Sequence, residues 1–149
     1  MEIKQSTIVH GLFDLKNVQK QKYAVILYSD NNNYIITTFT TSQKRAGTNP
    51  AHGVNRNPEC YVFKANITIG TNPDDGKDFS FEKDTIIVPD YGIDDMSIVD
   101  FMTKVTGLKT VCSLSTEEYI SLLYFLYRSE KTREKYVTRF VKILNEMSI

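Results

Sequence analysis

The sequence predicts a mainly β fold with C-terminal helices, a small β-barrel or curled sheet closed by two α-helices. Short β-branched and aromatic runs separated by turn residues fill the first two-thirds of the chain. The final third changes to apolar residues spaced by three and four. Alternating β and α units, which a doubly wound sheet needs, are absent. With 149 residues, the chain is expected to form one domain, residues 1–149. The strands fall in about 1–112 and the helices in about 116–147.

Ile8–Phe13 reads as a first strand, with Gly11 marking a bulge. Tyr23–Tyr28 is a short apolar run bounded by polar residues, the pattern of a strand buried on both faces. Ser29–Asn33 is a turn cluster, because Asn and Asp tolerate positive φ and bond their own backbone. Tyr34–Thr41 follows, rich in β-branched residues, and completes a hairpin. Ser42–Pro58 is polar throughout and reads as a long loop, of the kind that is usually functional or disordered. Strand character resumes over Cys60–Ile67, Thr71–Lys77 is a turn, and Thr85–Val88 is a strand ending at Pro89. Val105–Cys112 is a last strand or a hairpin around Gly107.

Ser115-Thr116-Glu117-Glu118 is a capping box, in which Ser115 accepts from an orphan N–H and Glu118 reaches back to the cap. It opens a helix over roughly 116–128 that is apolar on most faces. Ser129 can cap a second helix, roughly 130–146, whose Tyr136, Val137, Phe140, Val141, Ile143, Leu144 and Met147 form one stripe.

Composition excludes several classes. A hydrophobic fraction of 41% and a charged fraction of 24% fit an ordinary folded chain, not a disordered or collagen-like one. Cys60 and Cys112 sit in apolar stretches without a CxxC or Cys/His cluster, so reduced, buried thiols are expected and no metal or cofactor is. The start of the chain lacks a signal-like apolar region, and no run approaches membrane-spanning length, so a cytoplasmic protein with no membrane contact is expected. The net charge is zero but unevenly spread: residues 1–70 balance at +4, 71–100 at −7 and 101–149 at +3. Such a chain presents either a dipolar surface that meets a polyanion on one face or charges that intermix in three dimensions.

Standard catalytic signatures, such as a phosphate-binding glycine loop, a nucleophile elbow or a zinc-binding HExxH, are missing. The adjacent carboxylates Asp74-Asp75, Asp94-Asp95 and Glu117-Glu118 carry little weight, since adjacency in sequence is not adjacency of side chains. The hairpin is more informative. Antiparallel pairing returns Thr40, Thr41 and Ser42 towards Lys20 and Lys22, and the polar loop adds Lys44, Arg45 and His52. Hydroxyls and cations gathered in this way suit binding a phosphodiester. They also suit cleaving RNA by attack of a 2′-OH on its own phosphate, which needs a proton acceptor, a cation for the phosphorane and a donor for the leaving oxygen. The same Thr-Thr-Ser run is also what a strand end ordinarily carries.

The order Gly11-Leu12-Phe13, a basic tract, Tyr23–Ser29, a turn, then Ile35–Ser42 resembles the MazF/PemK toxin family. Its motifs lie between Gly11 and Ser42, and the later layout is similar. The resemblance implies an SH3-like barrel, usually a homodimer, that acts as a metal-independent endoribonuclease on single-stranded RNA and pairs with a cognate antitoxin protein. It places the catalytic cation at Lys22 and the catalytic hydroxyl at Thr40 or Thr41, with Lys20, Ser42, Lys44, Arg45 and His52 binding RNA. The family's Arg-Pro is replaced here by Lys22-Tyr23, which keeps the charge and loses the planar fork. Two other functions fit the same residues: a non-catalytic SH3-like interaction module that binds a partner protein or nucleic acid, and a single-strand binder using exposed aromatics.

Overall fold

The computed structural model describes residues 2–31, 33–42, 49–89 and 92–147. In chain order these form β1 (Thr7–Leu15), β2 (Val18–Ser29), β3 (Tyr34–Phe39), β4 (Gly53–Arg56), β5 (Glu59–Phe63), β6 (Gly70–Thr71), β7 (Asp78–Phe79), β8 (Thr85–Ile87) and β9 (Asp94–Ser97). Helix α1 (Ile98–Thr103), β10 (Val105–Leu114), α2 (Thr116–Arg128) and α3 (Glu134–Met147) follow. Seven strands make one sheet in the order β7-β6-β10-β1-β2-β3-β9, and β4-β5-β8 make a second. Neighbouring strands are antiparallel throughout. Just past β3, Thr41 pairs with Ile86 of β8 through two backbone bonds of 2.9 and 2.8 Å, which links the sheets.

The predicted hairpin is present as β2 and β3, with Ala24 opposite Phe39 and Ser29 opposite Ile35. Ala24, Val25, Ile26 and Leu27 are all fully buried, because the large sheet is covered on both faces. One face holds a core shared by both sheets, α2 and α3, with Val25, Leu27, Tyr61, Phe63, Leu122 and Phe140 at its centre. The other packs Ala24, Ile26, Phe13 and Phe39 against Phe101 of α1. Gly11 lies at the expected bulge: the β1–β10 register skips it between His10 and Leu12. A Cβ there would lie 2.5 Å from Val105 Cγ2, so glycine lets β10 approach closely.

Several boundaries differ from the expectation. The region taken as one polar loop, 42–58, contains β4, which pairs with β5 despite its polar composition; Val54 is exposed, so the strand has little apolar signal. The strand expected over Cys60–Ile67 ends at Phe63, and Asn66 has a φ of 65°. Of the two forms open for Val105–Cys112 the strand is the one present, running on to Leu114; Gly107 has a φ of 67°, beside the irregular pairing with β1. The second helix starts at Glu134, not 130. Ser129 instead closes α2, its N–H bonded to Phe125 O and its hydroxyl donating to Glu59 Oε1 at 2.6 Å. The short β9 and α1 had no signal beyond a few residues. Both cysteines are buried and free, as expected, and burial raises both thiol pKa values, that of Cys112 to about 12, which removes them as nucleophiles. Among the described residues no helix is long and apolar enough to cross a membrane.

Helix α3 is fastened to β9 through Asp95. Its carboxylate accepts from Tyr136 Oη at 2.5 Å, Tyr34 Oη at 2.7 Å and Lys135 Nζ at 3.0 Å. Those donors hold its pKa at about 2, below the ordinary 3.8, while burial and the carboxylate push Tyr34 up to about 12. A depressed carboxylate stabilises the fold above its unfolded pKa, and that stability is lost as pH falls through the folded value. Urea unfolding of the wild type should therefore lose about 1–2 kcal/mol from this group between about pH 4 and pH 2. Asp95→Asn should be less stable at pH 7 and lack that component of the acid slope; an unchanged slope would refute the assignment.

Candidate functional site

The sequence places its informative hydroxyls at the end of β3 and its basic tract at the start of β2, and the hairpin register brings them together. Thr40 N donates to Tyr23 O at 3.0 Å, one step beyond the Ala24–Phe39 pair. Lys20 and Lys22, two residues apart, share one face of β2. Lys22 stands opposite Gly11 of β1, so no side chain stands directly across from it on that strand. A cleft of about 680 Å³ opens here, and Lys20, Lys22, Thr40, Thr41 and Ser42 all line it.

The two threonines differ. Thr40 is only 6% exposed and its hydroxyl faces Tyr23 O at 3.4 Å. Thr41 is half-buried, and its backbone is fixed by the pairing with Ile86. Ser42, at the open end, is exposed. The opposite wall comes from the segment joining β7 to β8, namely Phe79, Ser80, Phe81, Glu82, Lys83 and Thr85. Phe81 is buried against Tyr23 (ring centroids 5.0 Å apart) and Phe63, which anchors this segment, while Glu82 and Lys83 are exposed.

Glu82 and Lys83 escaped the sequence argument, which treated 71–100 as a generally acidic stretch. The signal was the alternation of Phe79 and Phe81 with Ser80 and Glu82, a half-buried extended pattern with its polar residues on one side. Among the described residues the lining thus includes Lys20, Lys22 and Lys83, Thr40, Thr41 and Ser42 from the β3 end, and Glu82. It can neutralise a phosphodiester, donate hydrogen bonds to its oxygens and accept a proton.

Lys44 and Arg45 lie outside the described residues. His52 does not join the cleft. Its Nδ1 accepts from Lys64 N at 3.0 Å, which leaves the ring proton on Nε2, facing Glu118 Oε1 at 2.9 Å. Tyr61 Oη also donates to Glu118. Glu118 therefore turns towards β4 and β5 rather than back to its own helix cap, which Ser115 serves alone by accepting from Glu118 N at 3.2 Å. Burial and the Glu118 carboxylate both raise the Tyr61 pKa, so its hydroxyl remains a donor. His10 packs on Tyr23 at 4.6 Å between ring centroids and does not line the cleft either.

Glu118 is thus a structural hub joining α2 to the second sheet. Glu118→Ala leaves the buried Tyr61 hydroxyl without its acceptor and should cost about 1–3 kcal/mol in urea unfolding. Tyr61→Phe combined with Glu118→Ala should cost less than the sum of the single changes. Strict additivity in that cycle would rule out the hub.

No family model, curated protein or solved structure matches this chain.

Proposed function

We propose that the protein is an RNA-cleaving toxin of the kind its hairpin resembles, with the cleft as its active site. The observation that carries this reading is the convergence of Lys20, Lys22, Thr40, Thr41 and Ser42 on one cleft. Two sheets curled together at Thr41 and backed by α2 and α3 support an SH3-like barrel as the underlying fold.

In the proposed reaction a single-stranded RNA lies across the cleft. The 2′-oxygen attacks the adjacent phosphorus and its proton passes to Glu82, the carboxylate of the opposite wall. The Lys22 ammonium offsets the negative charge that builds on the phosphorane. Thr41 orients a non-bridging oxygen; Thr40, more deeply buried, supports the strand end behind it. The P–O5′ bond then breaks and the 5′-oxygen takes a proton from solvent water, leaving a 2′,3′-cyclic phosphate and a 5′-hydroxyl, while Glu82 returns its proton to solvent. Lys20, Ser42 and Lys83 hold the flanking backbone. A homodimer held in check by an antitoxin that covers the cleft completes the proposal.

The test is incubation of the purified protein with a long single-stranded RNA in EDTA, with the new ends mapped. Discrete cuts ending in cyclic phosphate are expected. Lys22→Ala should slow them about 10²–10³-fold, the usual cost of losing one transition-state donor, with no change in the thermal transition. Lys22→Arg should retain most of the activity. Intact RNA with folded protein would sink the enzyme reading and leave the interaction module, for which the exposed Tyr124 and Tyr127 on α2 are the surface to probe.

A further inference from the structure

The molecule has a second cavity, of about 620 Å³, away from the hydroxyl and lysine cleft. That size is typical of a small-molecule site. It lies where the end of β1, β3, β9, α1 and the turn before α3 come together. Its walls divide by chemistry. Leu15, Phe39 and Met96 offer half-buried apolar surface, backed by the fully buried rings of Phe13 and Phe101. Phe13 meets Phe39 edge-on at 4.9 Å and Phe101 at 5.7 Å, so this base is rigid.

Among the described residues the charged part of the lining is Lys16, Lys104, Lys131 and Arg133, with Asp14 and Asp94. Asp14 accepts from Gln19 Nε2 at 2.8 Å. Among the described residues Lys16, Lys104 and Arg133 have no carboxylate partner. Thr132, between two of the cations and 8% exposed, has a buried hydroxyl with no hydrogen-bond partner among the described residues. Native folds seldom leave such a group unused. The Arg133 carbonyl receives the first bonds of α3, from Tyr136 N and Val137 N, so the positive end of that helix adds to the same wall.

From this juxtaposition of an aromatic base with Lys104 and Arg133, which have no carboxylate partner among the described residues, we infer that the cavity binds a small amphipathic carboxylic acid, with its apolar body on Leu15, Phe39 and Met96 and its carboxylate at Lys104 and Arg133. A neutral apolar ligand leaves those two cations unsatisfied, and a multiply charged hydrophilic anion gains nothing from the apolar base. A single carboxylate on an apolar body matches both. Among the described residues the site shares no lining residue with the proposed cleavage cleft, so it stands or falls independently of that reading.

The probes are 2-naphthoate, indole-3-acetate and octanoate, each paired with its uncharged amide, titrated into the full chain by calorimetry and by ¹H–¹⁵N NMR. At least one acid should bind, with shifts concentrated at residues 13–16, 37–39 and 131–136, and about tenfold more tightly than its amide. Lys104→Gln with Arg133→Gln, both at exposed positions, should abolish that tenfold preference, while Lys22→Ala should leave binding unchanged. The proposal is overturned if no acid binds at millimolar concentration, if acid and amide bind alike, or if the shifts map elsewhere on the wild-type protein. The NMR map keeps the test decisive even if the double variant misfolds.

Discussion

Two backbone hydrogen bonds between Thr41 and Ile86 set the geometry on which the cleft depends. Among the described residues they are the pairing that joins the large sheet to the small one. Each bond is worth only about 1 kcal/mol net, so their importance is register rather than strength. Strand side chains alternate, and a slip of one residue would carry Thr41 to the opposite face. Strength comes from the core beneath, where Tyr61 and Phe63 of the small sheet pack with Val25 and Leu27 of the large one and with Leu122 and Phe125 of α2. The pair fixes which way the β3 end points, and the core keeps it there.

The helices are held by apolar burial and by tyrosine hydroxyls that need acceptors. Tyr119 Oη of α2 donates to Leu27 O near the end of β2 at 2.6 Å, and Tyr61 donates to Glu118. On α3, Tyr136 donates to Asp95. A tyrosine buries a large apolar ring only if its hydroxyl finds a partner at the far end. Asp95 and Glu118 supply that partner at the margins of the core. Each belongs to an adjacent carboxylate pair whose other member, Asp94 or Glu117, is exposed. The sequence pairs are therefore not chemical pairs, and the two inward carboxylates hold structure together.

Legibility of the sequence follows from how many neighbours a residue needs to define its state. The β2–β3 hairpin and α2 were readable because their signals are local: a continuous apolar run beside a turn cluster, and a serine cap followed by a helix apolar on most faces. The gathering of Lys20, Lys22 and Thr40–Ser42 was readable for the same reason, since one short turn determines which residues meet. Non-local features were not. β4 is four polar-leaning residues made a strand by β5, and the 130–133 segment is withheld from α3 because Ser129 bonds Glu59, 70 residues away. His52 looked like a loop histidine because neither Lys64 N nor Glu118 is near it in sequence. The far wall of the cleft, with Glu82 and Lys83, required the same long-range knowledge.

Lysine at position 22 places a particular demand on the proposed chemistry. A guanidinium fork fixes two phosphate oxygens by its own geometry, whereas an ammonium is a point charge on a flexible stem and fixes none. Orientation must then come from elsewhere in the cleft. Thr41, whose backbone is paired with Ile86, and Ser42 beside it offer donors at positions set by the sheet. Lys20 and Lys83 flank Lys22 on two different elements, so positive charge reaches the substrate from both walls. The arrangement separates two tasks that a single arginine combines: rigid strand-end hydroxyls for direction, and distributed ammonium groups for charge. In the proposed reaction that division lets the cleft do without the arginine of the family the hairpin resembles, and it would tie activity to the sheet joint as closely as to any one side chain.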